Sequence, residues 1–518
     1  MSIKTDGIAP NSARLLWAGF MAILAAGMGF ALRGGIFDNW AHDFGFTGLQ
    51  LGAIGGAGFT GFCFGIIIGG LVVDKIGYSW LIIAAFLMHV VSAFVTFSAS
   101  SPDNAYMMLM TGMFIFSLAN GTLEGVANPL VATLFPTKRT HYLNILHASW
   151  PAGMVLGAIV GWILDDKFLV SWKIQLMLYL VPTAIYGLMF LGQKFPKSEA
   201  SQKGAKLGEM FKDVGVLGAL VVGYMLMLFF SESLGLAPFV AYGLGGLFVI
   251  FVGAVTRFSI GSFVLFILFV THILLGAVEL GTDGWIQNIT GNLFTSEQGK
   301  FLFIWTSVIM FSLRFCANFI EKRLHLSPIG ILLVSSIIAV LGLRFASGMQ
   351  TFAMAVIALG IYAIGKTFLW PTMLAVVSDR YPRSGAVAIS VMGGIGMLSA
   401  GLLGGPGLGY SKDRFTAEAL QKENPAVYEQ VATKTSKFLV FDQVRAVDGK
   451  AIEDAKAAAP RTPDQQSIVS ANETGDRDTL KADSFIPLTM AVIYLLLFLY
   501  FRSKGGYRTV SIRENAAA

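Results

Sequence analysis

The sequence predicts an all-α integral membrane protein, arranged as a bundle of six plus six helices with two extra spans between the sets. Three observations predict this class. Of the 518 residues, 55 % are hydrophobic and 13 % are charged, whereas a soluble domain carries about 25 % charged residues. The chain also contains fourteen long apolar runs, and polar residues recur in the same order in its two halves.

The apolar runs set the number of membrane spans, because crossing a hydrocarbon core of about 30 Å takes about 20 helical residues. The first set of runs lies at 15–37, 49–73, 81–99, 106–134, 142–164 and 174–193, and the second at 263–282, 300–320, 328–346, 351–376, 386–408 and 485–501. Two further runs, 214–231 and 235–256, lie between the sets. We therefore predict about fourteen transmembrane helices.

These runs divide the chain into five parts. We expect an N-terminal six-helix half at 1–194, a cytoplasmic linker with the two extra spans at 195–260, the first five spans of the C-terminal half at 261–410, an extracytoplasmic insertion at 411–484, and the last span with a cytoplasmic tail at 485–518. The insertion carries eleven basic and thirteen acidic residues. We expect a helix over 416–433 and a strand over 438–447.

Loop charge predicts the orientation of the spans. Nineteen Lys and Arg residues fall in short loops and tails on one side, against Lys167, Lys173, Lys300 and Arg344 on the other. Cytoplasmic loops carry the excess of positive charge, so we expect both termini in the cytoplasm and the chain in a cytoplasmic (inner) membrane. This distribution accounts for the net charge of +6 without a nucleic-acid partner.

An internal repeat relates the two halves. Asp38 and Trp40 follow Arg33 at the end of the first span, and Asp283 and Trp285 follow Glu279 about 245 residues later. In a second match, Asp74-Lys75 corresponds to Glu321-Lys322. In a third, Glu124 corresponds to Lys366, and both residues lie five residues before a proline. Three matches in order, at a nearly constant offset, indicate two six-span halves in parallel orientation.

Short motifs within this repeat resemble a known family. The stretch Gly69-Gly70-Leu71-Val72-Val73-Asp74-Lys75-Ile76-Gly77 is similar to the loop motif of the major facilitator superfamily. The stretches Glu124-Gly125-Val126-Ala127-Asn128-Pro129 and Leu143-Asn144-Ile145-Leu146-His147 resemble its fucose and glucose/galactose proton symporters. The resemblance implies a solute site near the midplane between the halves, with Asp74 helping to latch one access state.

The chain departs from that subfamily at two places. Its first span carries Arg33 and Gly34 near the position of the family's acidic residue, and His147 and Trp150 stand where the fucose members have amides. The sequence therefore decides neither which sugar would be transported nor whether transport is coupled to protons.

Charges inside spans are the strongest candidates for function, because each costs about 2.5–3.5 kcal/mol at the bilayer centre. Arg33, Glu124, Glu279 and Lys366 qualify, and their formal charges sum to zero. A balanced set favours a neutral polyhydroxylated solute. The alternative is structural, with Arg33–Glu124 and Glu279–Lys366 as internal ion pairs.

The predicted residues fall into three groups. For solute binding we expect Arg33, Glu124, Asn128, Asn144, His147, Trp150, Glu279, Asp283, Gln287, Asn288, Lys366 and Trp370. For coupling we expect Glu124, whose carboxyl can carry a proton, and His147, which can relay one. For gating we expect Asp74, Lys75, Arg314 and Glu321, with Arg314 in the same cytoplasmic cluster. Packing is the alternative role for each Trp, and a hydrogen-bonding wall is the alternative for His147.

The function predicted from the sequence is secondary transport of a neutral sugar or sugar-like solute by alternating access. A nucleoside or sugar-acid carrier is one alternative, because Arg33, Lys366 and His147 can hold a carboxylate. A sensor built on a transporter scaffold, using the insertion, is another. We predict no enzyme activity, cofactor or metal, since the sequence shows no nucleotide-binding or metal-ligand motif, and we expect a monomer in the bilayer.

Overall fold

A computed structural model describes residues 9–135, 142, 145–196, 211–324, 326–381, 384–508 and 510. Within these ranges it describes the backbone but not the side chains at 70, 71, 74, 75, 129, 132, 315–324, 378, 385–387 and 389. In the described part of the chain, thirteen helices are long and apolar enough to cross a membrane. The predicted span at 300–320 lies within a further helix of 29 residues, Ser296–Leu324.

In the described part of the N-terminal half, eight helices form six spans. They are α1 (Ser12–Gly34), α2 (Phe37–Phe44), α3 (Gly48–Ile76), α4 (Tyr78–Phe97), α5 (Pro102–Leu134), α6 (Ser149–Trp162, followed by a π-helical turn at Ile163–Lys167), α7 (Trp172–Met177) and α8 (Leu180–Phe190). A capping box between Thr47 and Gln50 fixes the start of α3, because each side chain satisfies a backbone N–H of the first turn.

The two extra spans between the halves are helical. They are α9 (Gly215–Leu228, extended by a π-helical turn at Phe229–Ser233) and α10 (Pro238–Val255). Both qualify as membrane-crossing helices by length and hydropathy.

The C-terminal half repeats the architecture with broken helices. It comprises α11 (Phe263–Gly276, then a π-helical turn at Ala277–Gly281), α12 (Thr282–Leu293), α13 (Ser296–Leu324), α14 (Pro328–Ser347), α15 (Phe352–Lys366), α16 (Leu369–Arg380), α17 (Gly385–Ser399, then a π-helical turn at Ala400–Gly404) and α22 (Phe485–Ser503). The short interruptions separate α11 from α12 and α15 from α16 next to the polar residues of the repeat.

The insertion at 411–484, named the outer domain below, is folded. It contains the end of α18 (Gly405–Glu423), α19 (Pro425–Val431), β1 (Lys434–Ser436), β2 (Val444–Ala446), α20 (Gly449–Ala457) and α21 (Pro463–Asp483). The two strands are antiparallel, with Lys434 opposite Ala446 and Ser436 opposite Val444. A small core that includes Leu420, Val447 and Ala471 holds the elements of the outer domain together.

Two predictions for the outer domain need correction. The strand expected at 438–447 is the three-residue β2, which pairs with β1 ahead of the predicted range, and the helix expected at 416–433 is divided at Asn424. The 21-residue helix α21, which leads directly into α22, was not predicted. Its polar sequence hides it from hydropathy, although the Thr462–Gln465 capping box marks its start.

Glycines bring the two halves into close contact. A Cβ atom added to Gly52 would overlap the carbonyl oxygen of Gly405, and one added to Gly56 would overlap that of Gly401. Helix α3 therefore packs backbone to backbone against the end of α17 and the start of α18, as small residues permit in membranes. This interface borders the path between the halves.

Candidate solute pathway

A cavity lies between the halves, toward the predicted outer end of the bundle. Its walls are aromatic and glycine-rich, and the aromatic set is Phe30, Phe37, Phe59, Phe62, Phe116, Trp150 and Trp285. The polar lining consists of Arg33, Ser117 and Asn120. Its volume of about 40 Å³ holds only a few water molecules, at about 10–15 Å³ each. A larger solute therefore needs the surrounding side chains to move.

Arg33 lies near the end of α1 and is 6 % exposed. The Cζ of its guanidinium group is 3.7 Å from the centroid of the Phe116 ring and 5.9 Å from that of Tyr179. Among the described residues it forms no ion pair, and its Nε donates no hydrogen bond. The Arg33–Glu124 ion pair, which was the structural alternative, is therefore absent among the described residues, and cation–π contact stabilises this charge instead.

A buried polar network lies behind the cavity wall. Nε2 of His89 lies 2.9 Å from Oδ1 of Asn120, and Nδ1 of His89 lies 2.9 Å from the hydroxyl of Tyr186. Because Asn120 uses its oxygen to accept from His89, its amide nitrogen is left to donate toward the cavity. The sequence analysis missed His89 and Asn120, although polar side chains within apolar runs are a usable signal.

Lys366 is fully buried and pairs with Asp283, which is 3 % exposed. Glu279, the predicted partner, interacts with Lys366 electrostatically, but the carboxylate bonded to Lys366 is that of Asp283, one helical turn further along the chain. The two partners stand where broken helices begin and end: Lys366 closes α15, and Asp283 lies in the first turn of α12. This pair neutralises itself inside the C-terminal half.

Arg314 of α13 interacts electrostatically with Glu279, Asp283 and Glu124. Arg314 also interacts electrostatically with His147. The carboxyl group of Glu124 is hydrogen-bonded to the side chain of Asn128. Arg314 was predicted to join a cytoplasmic cluster of gating residues. The structure places it instead among carboxylates of both halves, with Glu124 from the N-terminal half and the other two from the C-terminal half.

Ion pairs close the predicted outer end. Nζ of Lys300, only 2 % exposed, is 2.5 Å from Asp165 and 2.7 Å from Asp166. Lys167 lies 3.1 Å from Glu297. Each of these contacts joins the N-terminal to the C-terminal half. Among the described residues, every hydrogen bond and ion pair between the halves lies at this end, and the bundle is therefore closed at the end predicted to face outward.

Two predicted solute ligands belong to this closure rather than to the cavity wall. Nε2 of Gln287 donates to the carbonyl oxygen of Ala31 at 2.9 Å, and Asn288 donates to Asp38. Both amides are buried. The amide nitrogens of Gln287 and Asn288 thus donate across the interface between the halves, whereas Oε1 of Gln287 has no partner among the described residues.

The remaining predicted residues are dispersed. Trp150 lines the cavity, whereas Trp370 packs on His272 with 4.7 Å between ring centroids. Asn144 lies outside the described residues, as do the side chains of Asp74, Lys75 and Glu321. Of the twelve predicted solute ligands, the cavity lining includes Arg33 and Trp150.

The structure thus consists of two helical halves around an aromatic cavity with a few buried polar groups, an arrangement that suits a membrane transporter. The model of the Major Facilitator Superfamily matches residues 19–405. The chain therefore belongs to that family, and the predicted fold class is confirmed.

Solved structures share this fold. A bacterial homologue of the human lysosomal transporter Spinster, in an inward-facing and occupied conformation, has a TM-score of 0.65 at 15 % identity, over 95 % of this chain and 97 % of that one. The nucleoside transporter NupG has a TM-score of 0.56 at 14 % identity, over 95 % and 99 %. A D-xylose-proton symporter has a TM-score of 0.54 at 15 % identity, over 76 % and 90 %.

One characterised relative is similar in sequence. The cis,cis-muconate transport protein of Acinetobacter baylyi is 25 % identical over 176 residues. The match spans 33 % of this chain and 40 % of that protein.

Proposed function

We propose that the chain is a secondary transporter for a small organic carboxylate with a planar, apolar body. The solute would bind in the central cavity and cross by alternating access between the two halves. The observation that carries this proposal is Arg33, a buried guanidinium in an aromatic cavity without a carboxylate partner among the described residues.

The hydrogen-bonding inventory of the cavity supports an acceptor-rich solute. Arg33 can only donate, and Asn120 presents its amide nitrogen because His89 holds its oxygen. Hydrogen bonds in which one partner is charged are about twice as strong as neutral ones. A carboxylate between Arg33 and Asn120 would therefore gain two favourable contacts, and the aromatic rings would cover its apolar part.

The sequence relative adds independent support. The name of the relative states that it transports cis,cis-muconate. This compound is an unsaturated dicarboxylate, and its chemistry suits a guanidinium group within aromatic walls. The match covers only 40 % of that protein, so muconate serves here as a probe of the chemical class.

A neutral sugar or sugar-like solute is the second candidate. Among the described residues of the spans, the cations Arg33, Arg314 and Lys366 are matched in number by the carboxylates Glu124, Glu279 and Asp283, and a further carboxylate, Asp483, is buried against Thr282. The resemblance of the Glu124–Pro129 stretch to the fucose symporters favours the same class. Against it, Gln287 and Asn288, the amides expected to bind hydroxyl groups, are engaged in the outer closure.

Proton coupling is part of the proposal, with Glu124 as the proton carrier. Its carboxyl lies within electrostatic reach of Arg314 in the opposite half. Protonation of Glu124 would weaken an attraction that spans both halves, which links proton binding to their relative movement. We further propose an inner-membrane monomer with both termini in the cytoplasm, on the loop charges given above.

Counterflow in proteoliposomes tests the solute class. Labelled cis,cis-muconate, D-xylose and a nucleoside are offered to the wild type and to Arg33→Gln. We expect exchange of the carboxylate, with affinity reduced about 10- to 100-fold in Arg33→Gln, since hydrogen bonds to charged groups contribute about 1.5–3 kcal/mol.

Arg344→Gln is the matched control. Arg344 also lies over an aromatic ring, with its Cζ 5.0 Å from the centroid of Phe485, but it is exposed outside the cavity. Its replacement should leave exchange unchanged. Exchange of D-xylose without exchange of any carboxylate would reject the carboxylate proposal and favour the sugar. Binding without exchange of any solute would favour a sensor.

A further inference from the structure

The outer domain carries an exposed apolar loop where its hairpin turns. The loop between β1 and β2 contains the consecutive residues Phe438, Leu439, Val440 and Phe441. Val440 is 94 % exposed and Phe441 is 50 % exposed. No other large apolar side chain of the outer domain, which the structure describes throughout, is as exposed as these two. The pair is therefore a localised apolar patch on an otherwise polar surface.

The hairpin runs along α18 toward the membrane. At the base of the hairpin, Ala432 and Val447 pack in the same small core as Ala417 of α18. Closer to the turn, the hydroxyl group of Tyr410 donates to the carbonyl oxygen of Asp442 at 2.7 Å. The contacts thus move along α18 toward its first residue, where the span formed by α17 ends.

The turn of the hairpin reaches the apolar ends of the spans. A Cβ atom added to Gly407 would lie 3.3 Å from the ring of Phe438. Leu439 packs against an apolar cluster that includes Leu402, just after α17, and Phe229 at the outer end of α9. Ala417 and Gly407 are ten residues apart in α18, which corresponds to about 15 Å at about 1.5 Å per residue. The turn therefore lies well below the base of the hairpin, against the spans.

The neighbouring helix α3 shows how deep these span residues lie. Gly52 lies against the carbonyl oxygen of Gly405, and Gly56 lies against that of Gly401. The apolar run of α3 begins at residue 49, seven residues before Gly56, so the level of Gly401 is about 10 Å inside the apolar zone. Leu439, which packs on the cluster at this end, is therefore at the edge of the membrane.

We propose that this loop anchors the outer domain in the bilayer, with the side chains of Val440 and Phe441 inserted among lipids on the side predicted to be outer. Leu439 has a φ of 48°, a left-handed conformation that residues other than glycine rarely adopt. This turn places Leu439 on the protein and leaves Val440 exposed. The patch continues the lipid-facing surface of the extra spans, where Phe239 at the start of α10 is 79 % exposed.

Fluorescence quenching in lipid nanodiscs tests the anchor. Val440→Cys is labelled with bimane in a full-length chain whose native cysteines, Cys63 and Cys316, are replaced by alanine. Each disc holds one copy of the protein and includes lipids with a nitroxide on the acyl chain, and iodide quenches from the water. An inserted interfacial side chain lies about 5–10 Å into the boundary between headgroups and acyl chains, so we expect lipid quenching at least about threefold stronger than at a water-exposed control and weaker quenching by iodide.

Thr435→Cys, labelled in the same way, is the matched control. Thr435 is exposed on β1 of the same hairpin, about 15 Å of strand away from Val440. Iodide quenching of the Val440 label as strong as that of the Thr435 label would overturn the proposal, as would equal lipid quenching of both labels. Shielding of the Val440 label from both quenchers would also overturn it, because the loop would then contact protein.

A charge at the loop tests insertion independently of the label position. In the Val440→Cys chain, Phe441→Asp should remove most of the lipid quenching, because a carboxylate disfavours entry into the bilayer. Thr435→Asp in the same chain adds the same charge away from the turn and should leave the quenching unchanged. An unchanged Tm in both variants shows that the outer domain stays folded, and full lipid quenching in Phe441→Asp would refute the insertion of Phe441.

Discussion

Removing the charge of Lys366 should destabilise the protein strongly, and removing the charge of Asp283 as well should restore most of the loss. The pair is buried, at 0 % exposure for Lys366 and 3 % for Asp283. Removing one member of a buried pair leaves its partner uncompensated, at a cost of about 3–5 kcal/mol. Replacing both by neutral groups of similar volume is often neutral or stabilising. We therefore expect a coupling energy of about 3 kcal/mol between the two sites.

The assay is a double-mutant cycle on the free energy of unfolding in mixed detergent micelles. Lys366→Met, Asp283→Asn and their combination are compared with the wild type. The second combination, Lys366→Met with Glu279→Gln, is the control, because Lys366 forms its ion pair with Asp283 and interacts with Glu279 only electrostatically, without a hydrogen bond. Equal rescue by Glu279→Gln, or strictly additive losses in the first cycle, would refute the pairing.

Two further predictions follow from the interior and outer charges. Glu124→Gln should abolish uphill accumulation of the solute while leaving exchange partly intact, because the amide cannot carry the coupling proton; full accumulation by this variant would remove Glu124 from that role. Lys300→Met should leave Asp165 and Asp166 facing each other without their cation and weaken the outer closure. A cysteine placed at Gly34 should then react faster with an external thiol reagent than in a Lys173→Met control, and an unchanged rate would contradict the role of Lys300 in closure.

The fold was predictable because the bilayer constrains it. Every backbone polar group in hydrocarbon must be satisfied within the chain, so long apolar runs identify helices almost without competition. The repeat of Asp38-x-Trp40 and Asp283-x-Trp285 then indicated two parallel halves. The same reasoning gives no information on the outer domain, where polar helices such as α21 depend on local packing and caps.

The charge partners were not predictable, and the reason is geometric. Glu279 and Asp283 lie four residues apart, so sequence alone places both near Lys366. The π-helical turn at Ala277–Gly281 inserts extra backbone just before Asp283 and changes which side chains share a face. A pattern of period 3.6 does not anticipate that shift. Similarly, the surroundings of Arg33 depend on Phe116 in α5 and on Tyr179 in the turn between α7 and α8.

The repeat also explains why the two halves differ in role. Equivalent positions carry opposite charges, with Arg33 matching Glu279 and Glu124 matching Lys366. In the C-terminal half these charges gain local partners, since Asp283 binds Lys366 and Arg314 attracts Glu279. In the N-terminal half Arg33 rests on an aromatic ring, and Glu124 is attracted by Arg314 across the interface. The half without internal pairing is therefore the one whose charges can respond to a solute and a proton.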